Sequence, residues 1–145
     1  MTTILIILHR GQILEHLQAE RIESVKVGIL GGLSFCLGYG VFFLVNWAFF
    51  PVETNLLPVK LIIALVTGFL FGVTYRYVVR DDQNPFLKDG VVLAFALVRG
   101  LAPVEIAHNL TWILLILVIE SIFCFTVARF TLDLAFYRNW LKKSQ

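Results

Sequence analysis

The chain is short of the groups on which catalysis and soluble folding depend. Charged residues make up 15% of its 145 positions against 59% hydrophobic ones, and its mean hydropathy is +0.84. That leaves too little polar surface to cover a soluble globule and implies an integral membrane protein. The two cysteines, Cys36 and Cys124, form no C-x-x-C pair, which excludes a dithiol redox site and predicts buried free thiols. Histidine is equally sparse: His9 and His16 precede the first long apolar run, and His108 lies in a short loop before the last. A haem held between histidines inside a bundle is therefore excluded. His108, beside Glu105 and Asn109 at a helix entrance, keeps the option of ligating a pigment or metal brought by a partner. No phosphate-binding glycine loop, H-E-x-x-H or serine-nucleophile motif occurs. The chain is accordingly expected to have no catalysis, cofactor or metal of its own, and no nucleic-acid partner.

What it does have is four long apolar segments, predicted as transmembrane helices over about 27–50, 59–79, 85–103 and 110–137, joined by short loops that leave room for one domain over 1–145. The first carries no charge and the second starts behind Pro58; at ~1.5 Å per residue both cross a ~30 Å hydrocarbon core. The third is uncharged only over Gly90–Val98, but Asn84-Pro85 is a good N-cap and N1 pair and Pro103 a good stop. It is expected to span, with a re-entrant half-helix as the alternative. Ahead of the first span, residues 12–25 place Ile13, Leu14, Leu17, Ile22 and Val25 on one face, which predicts an amphipathic helix lying in the interface or docked on a partner. The short run Ile4–Leu8 has no basic segment before it, so no cleaved leader is expected. The fold class is thus all-α: a four-transmembrane-helix bundle preceded by an amphipathic helix.

Arg10, Arg21, Lys26, Arg76, Arg80, Lys88, Arg138, Lys142 and Lys143 fall at one end of this arrangement, and only Lys60 and Arg99 toward the other. The bias predicts both termini on the cytoplasmic or stromal side. Small residues provide packing signals. Gly28 and Gly32 share a stripe with Phe35, Tyr39 and Asn46, and Ala64, Gly68, Gly72 and Arg76 form another. Such small-xxx-small spacing lets helix backbones approach closely, within the bundle or between copies.

One charge demands a partner. Glu120 stands alone in the uncharged stretch Leu110–Ala128, where an unpaired carboxylate costs several kcal/mol. Helix lengths bring Arg99 of the third span to a similar depth, so an Arg99–Glu120 ion pair is expected, with Asn46 as a further hydrogen-bond partner. The alternative is a Glu120 that titrates in a cavity and couples transport to a proton or cation. Arg129 points to the opposite side of its helix and is expected to pair with Asp133 or with the end of the second span.

The loop after the second span, with Arg76, Arg80, Asp81, Asp82, Asn84 and Lys88, is the densest polar segment and a candidate docking surface. Its paired carboxylates lack the ligand spacing of a calcium loop. The order Arg80, Asn84 faintly resembles membrane glutathione-transferase-like enzymes but lacks their glutamate and histidine. An intramembrane glutamate is similar to that of small multidrug transporters, whose glutamate belongs to the first helix. More broadly, Tyr75-Arg-Tyr-Val-Val-Arg80-Asp-Asp-Gln-Asn-Pro-Phe-Leu-Lys-Asp-Gly90 with Ala94-Phe-Ala-Leu-Val-Arg-Gly100-Leu101 resembles uncharacterised four-helix membrane proteins of cyanobacteria and plastids. That resemblance implies a thylakoid or plasma membrane and a role around photosynthetic complexes. The expected function is an accessory or assembly protein of a larger membrane complex, in contact with membrane lipids and other membrane-protein subunits, with homo-oligomerisation an option. The alternative is a small oligomeric proton- or ion-coupled transporter using Glu120.

Overall fold

The computed structural model describes residues 2–49, 56–79, 84–102 and 111–141. They form four helices: α1 (Thr2–Phe49), α2 (Leu57–Val78), α3 (Pro85–Leu101) and α4 (Thr111–Tyr137). No strand occurs among the described residues. Local signals explain three of the helix ends. Pro58 sits in the first turn of α2, and the Asn84 side chain accepts a hydrogen bond from Phe86 N at 3.1 Å as the N-cap of α3. Asn139, at φ 56°, ends α4. Trp140 N donates to Ala135 O at 3.0 Å and Asn139 N to Phe136 O at 3.2 Å, which is the Schellman closure that asparagine tolerates.

The amphipathic segment is not a separate element. Residues 12–25 belong to the single 48-residue helix α1, because nothing between them and the apolar span breaks a helix: no proline intervenes, and Glu23 pairs with Lys26 one turn on at 2.9 Å. Three helices contain stretches long and apolar enough to cross a membrane: residues 10–48 of α1, α2, and residues 114–137 of α4. Helix α3 is not among them. Its 17 residues reach ~25 Å and carry Lys88, Asp89 and Arg99. It nonetheless runs antiparallel along α4 from the level of Asp133, which Lys88 meets, to that of Val118, against which Gly100 lies.

Helix α1 packs mainly on α2 and α4, and α3 on α4, while α2 and α3 barely touch. Where α1 and α2 cross, their backbones meet. A Cβ on Gly72 would stand 2.6 Å from Val27 O, one on Gly31 would stand 2.7 Å from Gly68 O, and one on Gly32 3.0 Å from Leu65 O. Side chains cannot move aside there because the obstacle is main chain. The helices place one phenylalanine each at the centre: Phe35, Phe71 and Phe125 are fully buried and Phe95 is partly so. Their ring centroids lie 4.6 Å (Phe35–Phe125), 5.0 Å (Phe71–Phe125), 5.5 Å (Phe71–Phe95) and 5.7 Å (Phe95–Phe125) apart, in tilted and edge-on arrangements. The outward faces are apolar, with Leu37 71% exposed and Ile62 64%, as helix surfaces in contact with acyl chains are.

Gly72→Ala is expected to destabilise the bundle by about 1–3 kcal/mol, the cost of overpacking a filled contact. Gly40→Ala, where nothing lies within 4 Å, should be neutral or stabilising by up to ~1 kcal/mol. Unfolding of the two variants in detergent, followed by circular dichroism, checks the contrast.

Candidate functional site

Polar side chains gather at two ends of the bundle, and the ends differ in kind. At the end nearest the chain's N-terminus they are paired. Arg76, 1% exposed, donates from Nη1 to Glu20 O at 2.9 Å and to Ser24 Oγ, with the Glu20 carboxylate 3.9 Å from Nη2. Ser24 Oγ also donates to Glu20 O at 3.0 Å and lies 2.9 Å from the Tyr77 hydroxyl, so α1 and α2 are locked one turn beyond their glycine contact. A second cluster joins the other helices. The Tyr75 hydroxyl of α2 donates to Asp133 Oδ1 of α4 at 2.8 Å, and Lys88 Nζ of α3 donates to the same oxygen at 3.2 Å. Arg129 pairs with Asp89 of α3 and lies 3.8 Å from Asp133, as its sequence position suggested.

At the other end, a cavity of about 660 Å³ lies between the helices. Helix α1 supplies Tyr39 and Asn46, α2 Lys60 and Thr67, α3 Phe95 and Arg99, and α4 Glu120 and Ser121. Apolar side chains such as Phe42, Ile63, Val98 and Leu117 complete the wall. Phe95 belongs to both the cavity and the phenylalanine centre, which closes the space on the side toward the N-terminus.

Arg99 and Glu120 do share one depth and one cavity, but they do not form a contact ion pair. Among the described residues neither has an ion-pair partner within 4 Å, and nor has Lys60. The reason lies on α1. The guanidinium of Arg99 sits 5.0 Å from the Phe35 ring centroid and 5.9 Å from that of Tyr39, held against aromatic faces rather than against the carboxylate.

No protein-family model, curated protein or solved structure matches the chain.

The docking loop changes most. Arg76 is buried inside the bundle, Lys88 is engaged with Asp133 and the Asn84 side chain caps α3, so these three are occupied by the fold itself. Arg80, Asp81 and Asp82 lie outside the described residues, as does His108. Gly28, Gly32, Gly68 and Gly72 all face the α1–α2 contact, joined there by Gly31, which the sequence stripe passed over. Cys36 and Cys124 are free thiols, the second fully buried. Among the described residues no cluster of His, Cys, Asp or Glu is arranged to hold a metal. The Asp133 hub was visible only as a partner for Arg129; its tyrosine and lysine come from other helices at separations that no local pattern encodes.

Asp133→Asn is expected to cost about 1–3 kcal/mol, because the charge that Tyr75, Lys88 and Arg129 converge on is removed. Asp89→Asn, whose carboxylate is 60% exposed, should cost no more than ~1 kcal/mol. Thermal unfolding of both variants in one detergent tests the order.

Proposed function

We propose that the chain is an integral membrane protein serving as an accessory or assembly subunit of a larger membrane complex, without catalysis of its own. What supports this reading is the length of α1. Its bundle-facing positions recur at Glu20, Ser24, Val27 and Gly31, a spacing of four, three and four residues. Continued toward the N-terminus, the same seam reaches Leu17 and Ile13. Helix α2 ends at Val78, level with Glu20, so among the described residues the seam runs on with nothing beside it. Every residue from Arg10 to Ala19 is exposed, and the overhang from Thr2 to Ala19 extends ~27 Å. A seam of apolar residues past the end of its own partner is what helix-in-groove association uses.

The basic residues at the N-terminal end of the bundle support both termini on the cytoplasmic or stromal side. The likeness of the Tyr75–Leu101 segment to four-helix proteins of cyanobacteria and plastids supports a thylakoid or plasma membrane and a photosynthetic complex as partner. Ile13→Glu with Leu17→Glu should leave the unfolding temperature of the purified bundle unchanged and remove co-purifying membrane subunits, since a charge buried at a complementary helix face weakens association by several kcal/mol. Retention of the same subunits by this variant overturns the reading.

The second reading, a small oligomeric proton- or ion-coupled transporter, is favoured by one observation: Glu120 lines a cavity and, among the described residues, makes no contact ion pair within 4 Å. It requires an arrangement in which the phenylalanine centre opens. Cation-coupled flux in reconstituted vesicles, lost in Glu120→Gln, is its expected signature; absence of flux in the unmodified protein removes it.

A further inference from the structure

The cavity at the end of the bundle away from the N-terminus is built for a ligand of definite chemistry. We propose that it binds the anionic head group of an amphiphile, with Arg99 and Lys60 as the residues that hold the anion. The inference is independent of the docking reading, which concerns the opposite end of the molecule.

Three observations carry it. Two cations face one carboxylate across the cavity, and none of the three is neutralised by an ion-pair contact within the described residues. Charges set among apolar helices are stable when paired or facing a polar space, and here part-buried Arg99 and Glu120, with Lys60 exposed at the mouth, leave that space an unbalanced positive charge. An anion brings the missing counter-charge, and a phosphate is the group a planar guanidinium and an ammonium recognise together.

The size and the walls select an amphiphile over a small ion. About 660 Å³ lies within the ~300–1,000 Å³ range of small-molecule sites and is far larger than one phosphate requires. Two of the lining residues, Ile63 on α2 and Val98 on α3, are 51% and 75% exposed, on outward faces of two helices that barely pack on each other. The wall is open there, along the apolar outer surface, so a tail leaves the cavity between them while the head remains inside. The phenylalanine centre stops the head from passing deeper.

Glu120 sets the selectivity. Its carboxylate lies in the same space and opposes an anion, so it penalises a doubly charged group more than a singly charged one and favours a head group with a hydrogen-bond donor turned toward it. Removing that charge therefore strengthens anion binding, whereas loss of a merely structural residue would weaken it.

The test uses the purified full-length protein in a neutral detergent, titrated with dioctanoyl phosphatidylglycerol, dioctanoyl phosphatidylcholine and glycerol phosphate, with bound lipid counted by native mass spectrometry. The expected result is one phosphatidylglycerol per chain, bound at least tenfold more tightly than phosphatidylcholine. Arg99→Gln and Lys60→Gln should each weaken it about tenfold and leave the phosphatidylcholine signal unchanged, and Glu120→Gln should strengthen it severalfold. Lys60 is exposed at the cavity mouth, so its substitution keeps the test valid if Arg99→Gln fails to fold. Equal binding of the two lipids, or phosphatidylglycerol binding unchanged in Lys60→Gln and Glu120→Gln, overturns the proposal. Displacement of the lipid by glycerol phosphate at equal concentration assigns the site to a free anion and overturns the amphiphile.

Discussion

Everything else in this fold depends on how closely α1 approaches α2. Between helices that are apolar on their outer as well as their inner faces, burial of hydrophobic side chains gives little preference for any register, and contact between main chains has to supply it. Gly31 against Gly68 and Gly72 against Val27 O fix that register to within a fraction of a turn. Two consequences follow along the same pair of helices. On one side of the contact Arg76 is carried into reach of Ser24 and Glu20; on the other, Phe35 and Phe71 meet the phenylalanines of α3 and α4. A methyl group at Gly68 or Gly72 would disturb both ends at once.

The polar groups are then divided by that phenylalanine centre. Toward the N-terminus, Glu20, Arg76, Lys88, Asp89, Arg129 and Asp133, from all four helices, are engaged in internal pairs, with Asp133 shared by three helices. Away from it, Lys60, Arg99 and Glu120 stand around an open space. The contrast has a physical logic. Paired clusters hold helices in place and are poor binding sites, because a ligand would have to break interactions worth several kcal/mol. Unpaired charges in a cavity weaken the fold and are retained where they meet something from outside.

Features whose cause is local were legible in the sequence. The Asn84-Pro85 start of α3 depends on two adjacent residues, and the glycine stripes on a fixed helical spacing, so both could be placed without a structure. Arg76 shows the limit. It lay on the same stripe as Gly68 and Gly72, which pointed inward, and also next to a polar loop, which pointed outward; only the packed α1, with Ser24 and Glu20 opposite, decides between them. The join between the amphipathic segment and the first span was misplaced for a related reason. A change in composition marks where the environment changes, but a helix ends only where the backbone is interrupted. Of the phenylalanine centre only Phe35 was legible, on the glycine stripe of α1; α2 and α4 have apolar residues on every face and offer no pattern that singles out Phe71 or Phe125. That Arg99 and Glu120 share a depth followed from helix lengths, whereas the aromatic surfaces that keep the two apart come from α1.

The division of the bundle into a closed end and an open cavity can be read directly by thiol accessibility. Thr67, part-buried in the cavity wall one turn from Phe71, is changed to cysteine in a chain whose Cys36 and Cys124 have been replaced, and a membrane-impermeant maleimide is applied to each face of sealed vesicles in turn. Labelling from the face opposite the termini alone is the expected result. Labelling from both faces would mean that Phe35, Phe71, Phe95 and Phe125 do not close the bundle, and would contradict the structure described.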